Sequence, residues 1–305
     1  FSRYRSYHGS TLGSGNLSGD PRRFALEHPA ATGFVKFQDP YVYRSDIPFK
    51  NDQEASAYYI NKIKEQIAYE GAVNIAAIFV ESITGANGVI IPPDGYLQGI
   101  RKICDENGIL LVADEVQTGF CRTGRMFATN YWEESGVQPD ILATAKSIAA
   151  GVPLSAIVAR EEIMEASAPG TIGGTFCGNA LACAAALKTI EIMERNDIAG
   201  RSCEIGEKVS KRFNEWKEKY PVIGDVRGLG GMIGLEFVKD QKTKEPYPEF
   251  SAAVIKGCAQ KGLMIEGAGT YGNVIRFLAP LVMTDEQLEA GFDIYESVIK
   301  ELLEK

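Results

Sequence analysis

Asp114 ends the run "ILLVADEVQTGF", residues 109–120, and Lys146 sits in the middle of "DILATAKSIAAGVPLSAIVAR". A lysine among apolar residues loses part of its preference for charge when buried, and its amine then becomes a nucleophile able to form a Schiff base with an aldehyde. A carboxylate beside it suits a pyridine cofactor. It keeps the ring nitrogen protonated, so that the ring accepts electrons from a substrate carbon. Each residue alone has a plainer reading, the Asp as a turn cap or ion-pair partner and the Lys as a side chain snorkelling from a strand end. Together they point to chemistry on a pyridine ring.

Such a site needs rigid elements to bring the two residues together. The run Ile109 to Ala113 is apolar without alternation, as in a parallel strand covered on both faces. In open α/β sheets ligands gather beyond the carboxyl ends of the strands, which is where Asp114 falls. Upstream, "NIAAIFVES" reads as another buried strand ending at Glu81. Between the two, a helix is expected from Asp94 to Gly108, with Leu97, Ile100 and Ile103 inward. Strand, helix, strand is the βαβ unit of a parallel sheet. A surface helix capped by Asn51 or Asp52 precedes it, carries Ile60, Ile63 and Ile67 on one face and closes at Gly71. Lys146 falls on a turn between two short apolar strands. Past the Ala-rich helix "GNALACAAALKTIEIMERND" the texture changes to charged amphipathic helices and isolated strands such as "GMIGLEFV" and "VIRFLAP". A large domain over residues 1–194 and a smaller α+β domain over 195–305 are therefore expected. The last helix opens on a capping box, Thr284 with Gln287, and turns Leu288, Phe292, Tyr295 and Ile299 inward.

Composition narrows the partners. With 305 residues, a net charge of −8 and no block of Lys or Arg, the chain has nothing to neutralise a phosphate backbone. Small molecules are expected instead of nucleic acid. Six scattered cysteines and two histidines, His8 and His28, make neither a zinc site nor a disulfide framework, and free thiols point to a cytoplasmic location. No apolar run is long enough to cross a bilayer and no signal peptide is visible, so no membrane partner is expected. The chain opens "FSRYRSYHG" without an initiator Met, already at the end of a strand, which points to a missing N-terminal portion.

Three segments, "DEVQTGFCRTGRMFA", "ATAKSIAAGVPLSA" and "GGTFCGNALACAAAL", resemble the class III aminotransferases, pyridoxal-phosphate enzymes of fold type I. The resemblance covers essentially the whole chain. It implies an α/β fold with a mostly parallel sheet flanked by helices. It makes Lys146 the Schiff-base lysine and Asp114 the partner of the ring nitrogen. Val116 would press on one ring face and Gln117 would hydrogen-bond the phenolic oxygen. Tyr7 would stack on the other face with His8 beside it, and Glu81 would lie near the cofactor. Thr175 would reach the cofactor phosphate from a neighbouring subunit, which implies a homodimer or a dimer of dimers. Arg276 would grip the carboxylate of an amino or keto acid, a task its planar fork suits. Arg227 is assigned a structural role. The Gly-Ser/Thr turn that holds the phosphate in this family lies upstream of the "YHG" segment, beyond the start of this chain.

Two positions depart from the family pattern. "ESITGANG" stands where relatives acting on 4-aminobutyrate or ornithine read "EPxQGE", so the second acid, the partner of the carboxylate-binding arginine, becomes Ala86. The Arg that grips a distal carboxylate after "YHG" is here Ser10. "RYRSYHGST" and "DPYVYRSD" look like the branch that transaminates taurine, β-alanine and similar ω-amino compounds, with pyruvate or 2-oxoglutarate as acceptor. A racemase or aminomutase would use the same Lys146 and Asp114, and a non-catalytic relative is a third reading. A nucleotide-hydrolysing domain would need a GxxxxGK[ST] loop, and there is none.

Overall fold

Apolar runs without alternation become interior strands, and the amphipathic stretches between them become the helices that cover the sheet. The computed structural model describes residues 1–28 and 31–304. Six strands, β1 (Ser2–Arg3), β2 (Lys36–Phe37), β3 (Ala77–Glu81), β4 (Leu110–Asp114), β5 (Ile141–Thr144) and β6 (Ala156–Ala159), form one sheet in the order β2-β1-β3-β4-β5-β6. All its pairings are parallel except that of β5 with β6. A second, wholly antiparallel sheet takes β7 (Ile223–Leu229), β8 (Met232–Phe237), β9 (Glu266–Ala268) and β10 (Val274–Phe277) in the order β7-β8-β10-β9. The mixed, mostly parallel sheet with flanking helices is the fold class expected.

Ile78, Val80, Leu111 and Ala113 on β3 and β4 are fully buried against Ile63, Ile100 and Ile103 from two covering helices, Asp52–Glu70 and Tyr96–Asn107. Each such aliphatic side chain contributes roughly 1.5–3 kcal/mol by leaving water. The first of these helices is capped as expected, with the Asn51 side chain accepting from the Glu54 N–H at 2.9 Å and Gly71 at its end. Asn51→Ala is expected to lower stability by about 1 kcal/mol in urea unfolding. The second begins later than expected. Gly95, left-handed at φ 86°, precedes Tyr96, and exposed Asp94 instead donates its N–H to Asp52 at 3.0 Å. A glycine that turns the chain sharply competes with an Asp cap, and here it wins.

On the second sheet, Phe213, Trp216, Phe292 and Tyr295 from the helices Ile198–Lys219 and Asp285–Leu303 form one buried aromatic group. The capping box of Thr284 and Gln287 forms as expected. Fully buried Glu236 on β8 pairs with Arg44 and with Arg227 (2.8 Å) and accepts from the Tyr41 hydroxyl. Arg227 also pairs with Asp225 at 2.8 Å and donates to the Gly88 carbonyl. Its structural assignment agrees with those partners. None of the helices among the described residues is long and apolar enough to cross a membrane, and no metal-holding cluster occurs among those residues.

Candidate active site

Strand register places the chemistry. Glu81 at the end of β3 lies opposite Asp114 at the end of β4, and Asp114 lies opposite Ala143 on β5. The chain then leaves β5 through Lys146, whose φ of 49° is left-handed. Non-glycine residues take that conformation at a cost of order 1–3 kcal/mol, a strain found where a side chain must be presented. A polar cleft of about 560 Å³ opens beyond these strand ends, lined by Tyr7, His8, Glu81, Asp114, Val116, Gln117, Lys146 and Arg276 together with Arg22, Ala86, Arg122, Ser147 and Glu266. All the residues singled out from the sequence converge there except Thr175. That residue lies exposed outside the cleft. A mostly apolar cavity of about 470 Å³ adjoins across Glu266, Arg276 and Leu278, and no lysine lines it.

Asp114 is fixed at both oxygens. Oδ1 accepts from the Val116 N–H at 2.9 Å, and Oδ2 meets His8 Nδ1 at 2.8 Å. A carboxylate offers only acceptors, so His8 Nδ1 is the donor. The His8 side chain is buried, packs edge-on against Phe79, and orients Asp114. Glu81 is also buried, and its carboxylate accepts from the backbone N–H groups of Tyr7 (3.0 Å) and Gly85 (2.8 Å). Burial pushes its pKa up, His8 draws it down, and neighbouring Asp114 raises it again. It clamps the Tyr7 segment to the sheet. The next acid in sequence, Glu115, points away by the strand pleat and accepts from Ser82, Thr118, Ala128 and Thr129.

The expected burial of Lys146 is not what the structure shows. The residue is exposed, because the turn packs through Ile148 and Ala149 and leaves the lysine facing the cleft. Its ammonium makes no ion pair among the described residues. Any desolvation of that amine therefore comes from what fills the cleft. Behind it, Arg122 donates to the carbonyls of Gly231 (3.0 Å) and Ala279 (2.8 Å), and burial draws its guanidinium down to about 10.

Arg276 on β10 is 8% exposed, so it is not a surface strand residue. Its Nη2 pairs with Glu266 at 2.7 Å, and its Nη1 reaches Gln117 Oε1 at 3.4 Å. Gly85 makes room for that glutamine, since an added Cβ would fall 1.5 Å from Gln117 Oε1. Tyr7 carries the Arg22 guanidinium 3.6 Å above its ring, and its hydroxyl meets Ser10 Oγ at 2.9 Å. Sequence reasoning missed His8 as orienter, Arg22 and Glu266. Only Glu266 left a signal, a charge at a strand position that the antiparallel register sets opposite Arg276.

Comparison with known proteins gives one consistent answer. The family model described as aminotransferase class-III matches residues 2–299. A probable 4-aminobutyrate aminotransferase of Bacillus subtilis is 38% identical over 304 residues, covering 97% of this chain and 67% of the relative. A 5-aminovalerate aminotransferase of Pseudomonas aeruginosa is 42% identical over 229 residues, covering 75% and 53%. This chain thus spans about two thirds of the first relative and about half of the second. Among solved structures, a taurine:2-oxoglutarate aminotransferase from Bifidobacterium kashiwanohense, in complex with PLP and glutamate, superposes with a TM-score of 0.92 at 36% identity, covering 100% of this chain and 70% of that one. The family model's match over residues 2–299 and the relative at 38% identity show that the chain belongs to the class III aminotransferases.

Proposed function

We propose that the protein is a pyridoxal-phosphate-dependent aminotransferase that moves an amino group from an ω-amino compound of the taurine, β-alanine or 4-aminobutyrate type to a 2-oxo acid such as pyruvate or 2-oxoglutarate. The observation that carries this reading is a carboxylate and an unpaired lysine at the ends of neighbouring strands, facing one cleft that also holds a buried arginine. The residues present fit the cofactor's ring. Asp114 uses two of its roughly four acceptor sites within the protein and still reaches the cleft, with 12% of its side chain exposed.

When bound, the cofactor supplies an electron sink for the substrate carbon. Lys146 would hold it covalently and, once released by the incoming donor amine, its Nζ would take the proton from the amine-bearing carbon as general base. Asp114, held by His8, would face the pyridine nitrogen. Val116 would cover one ring face, Gln117 would face the phenolic oxygen, and Tyr7, whose ring carries the Arg22 guanidinium, would cover the other face. Glu81 holds Tyr7 in place, and Arg276 takes the carboxylate of the 2-oxo acid.

Thr175 would reach the phosphate from a second copy of the chain, which makes the working unit a homodimer. Large apolar side chains exposed on the surrounding segments, including Phe176 at 84% and Leu181 at 73%, support that reading. The boundary between a large and a small domain falls at residues 194 and 195. Unpaired cysteines, three of them buried, favour a reducing cytoplasm. The test mixes the pyridoxal-loaded protein, an amine donor and a 2-oxo acid. A new amino acid formed from the 2-oxo acid is the expected result. Inversion or internal amine migration of the donor, with no such product, would identify a racemase or aminomutase instead.

A further inference from the structure

Lys146, Ser147 and Arg122 line two cavities at once. One is the polar cleft, and the other is a chamber of about 570 Å³ that opens past the same three residues and is walled by Phe120, Ile192, Met193, Ile198, Leu281 and Val282. No acid lines the chamber, and its rim is apolar where Val282, 76% exposed, meets the water. Arg122 is its unusual member. Nη1 donates to the carbonyls of Gly231 (3.0 Å) and Ala279 (2.8 Å), Nε and Nη2 donate to nothing among the described residues, and no carboxylate pairs with the guanidinium there. Burial alone draws its pKa down, with no anion near enough to offset it. A cation taken out of water without a counter-ion is costly, and an arriving anion relieves that cost. Lys146 brings a second unpaired cation to the same doorway.

A ligand that answers both features has an anionic head and an apolar tail. We propose that the chamber binds a free aliphatic monocarboxylate, its head on Arg122 and Lys146 and its tail against Ile192, Met193 and Leu281. The open N–H groups of Arg122 donate charge-assisted hydrogen bonds to the head. A volume of about 570 Å³ lies within the roughly 300–1,000 Å³ of small-molecule sites, so a chain of medium length fits. Held there, the carboxylate pairs with the Lys146 ammonium and keeps that amine protonated, and a protonated amine cannot attack an aldehyde. The acid therefore slows capture of the pyridoxal aldehyde, a step that rests on the aminotransferase reading above. Arg276 takes no part, because it does not line the chamber.

The experiment titrates octanoate, and propionate as a short acid with almost no tail, into the cofactor-free protein by calorimetry. Octanoate is expected to bind at least about tenfold more tightly than propionate, since each further buried CH₂ adds to the tail's contribution. Arg122→Met is expected to weaken octanoate by about tenfold or more, the worth of a charge-assisted hydrogen bond. Because that variant also loses two carbonyl contacts, Ile192→Asp at the rim serves as the second test, and it too weakens octanoate by placing a carboxylate beside the tail. Arg276→Ala leaves octanoate binding in place. Added before pyridoxal phosphate, octanoate slows the rise of visible absorbance as it saturates. Octanoate no tighter than propionate overturns the proposal, as does binding that survives both Arg122→Met and Ile192→Asp, binding lost in Arg276→Ala, or saturation that leaves cofactor uptake unchanged. Absence of binding overturns it as well and means that a second copy of the chain covers the chamber. Failure of the wild-type protein to transaminate is a separate result that sinks the aminotransferase reading, since the calorimetry needs no turnover.

Discussion

Lys146→Ala is expected to remove the visible absorption of the pyridoxal-loaded protein and to cut transamination by a factor on the order of 10²–10⁴. The lysine is the only cleft residue able both to attach an aldehyde covalently and to carry a proton. It is exposed and unpaired, so the substitution removes no packing and no ion pair, and thermal unfolding should hardly move. Absorbance and a coupled amine-transfer assay on the same preparation check the two effects together. An unchanged visible band in Lys146→Ala would overturn the assignment.

The second large effect is on stability. Glu236→Gln leaves Arg227 and Arg44 facing a neutral amide in a buried setting, and urea unfolding should show a loss of about 3 kcal/mol, the lower end for breaking a buried pair. The pH dependence has a definite sign. Burial raises the Glu236 pKa, but Arg227, the Tyr41 hydroxyl and Arg44 outweigh it and hold the group below 4.5. A depressed carboxylate stabilises the fold above its unfolded pKa and stops doing so as pH falls through the folded value. Wild type and Glu236→Gln should therefore differ most above pH 4.5, and the gap should close as the solution is made more acidic. Denaturant titrations across that range test it. A gap that stays constant would mean that the charge is not what matters.

Much of this was legible in the chain. The unbroken apolar run before Asp114 and the helix between the strands ending at Glu81 and Asp114 announced a parallel sheet, because two covered faces leave no polar alternation. The capping box at Thr284 and the cap at Asn51 are local chemistry, and local chemistry reads directly. What the chain could not show were contacts made only by the fold. His8 and Asp114 are 106 positions apart, and the carboxylate facing Arg276 comes from a strand whose register the sequence does not print. Lys146 sits among apolar neighbours and is nevertheless exposed, because hydrophobic context along the chain is not hydrophobic context in space. Asp94 looked like a helix cap, and the glycine after it decided the matter.

The strand ends that bear Glu81 and Asp114 are spaced by main-chain hydrogen bonding, at roughly 4.8 Å. A change in the length of the helical connection between β3 and β4 leaves that spacing alone. A single residue gained inside β4 would instead turn Asp114 to the opposite face. Strand spacing, not loop length, therefore sets how far apart the two carboxylates stand.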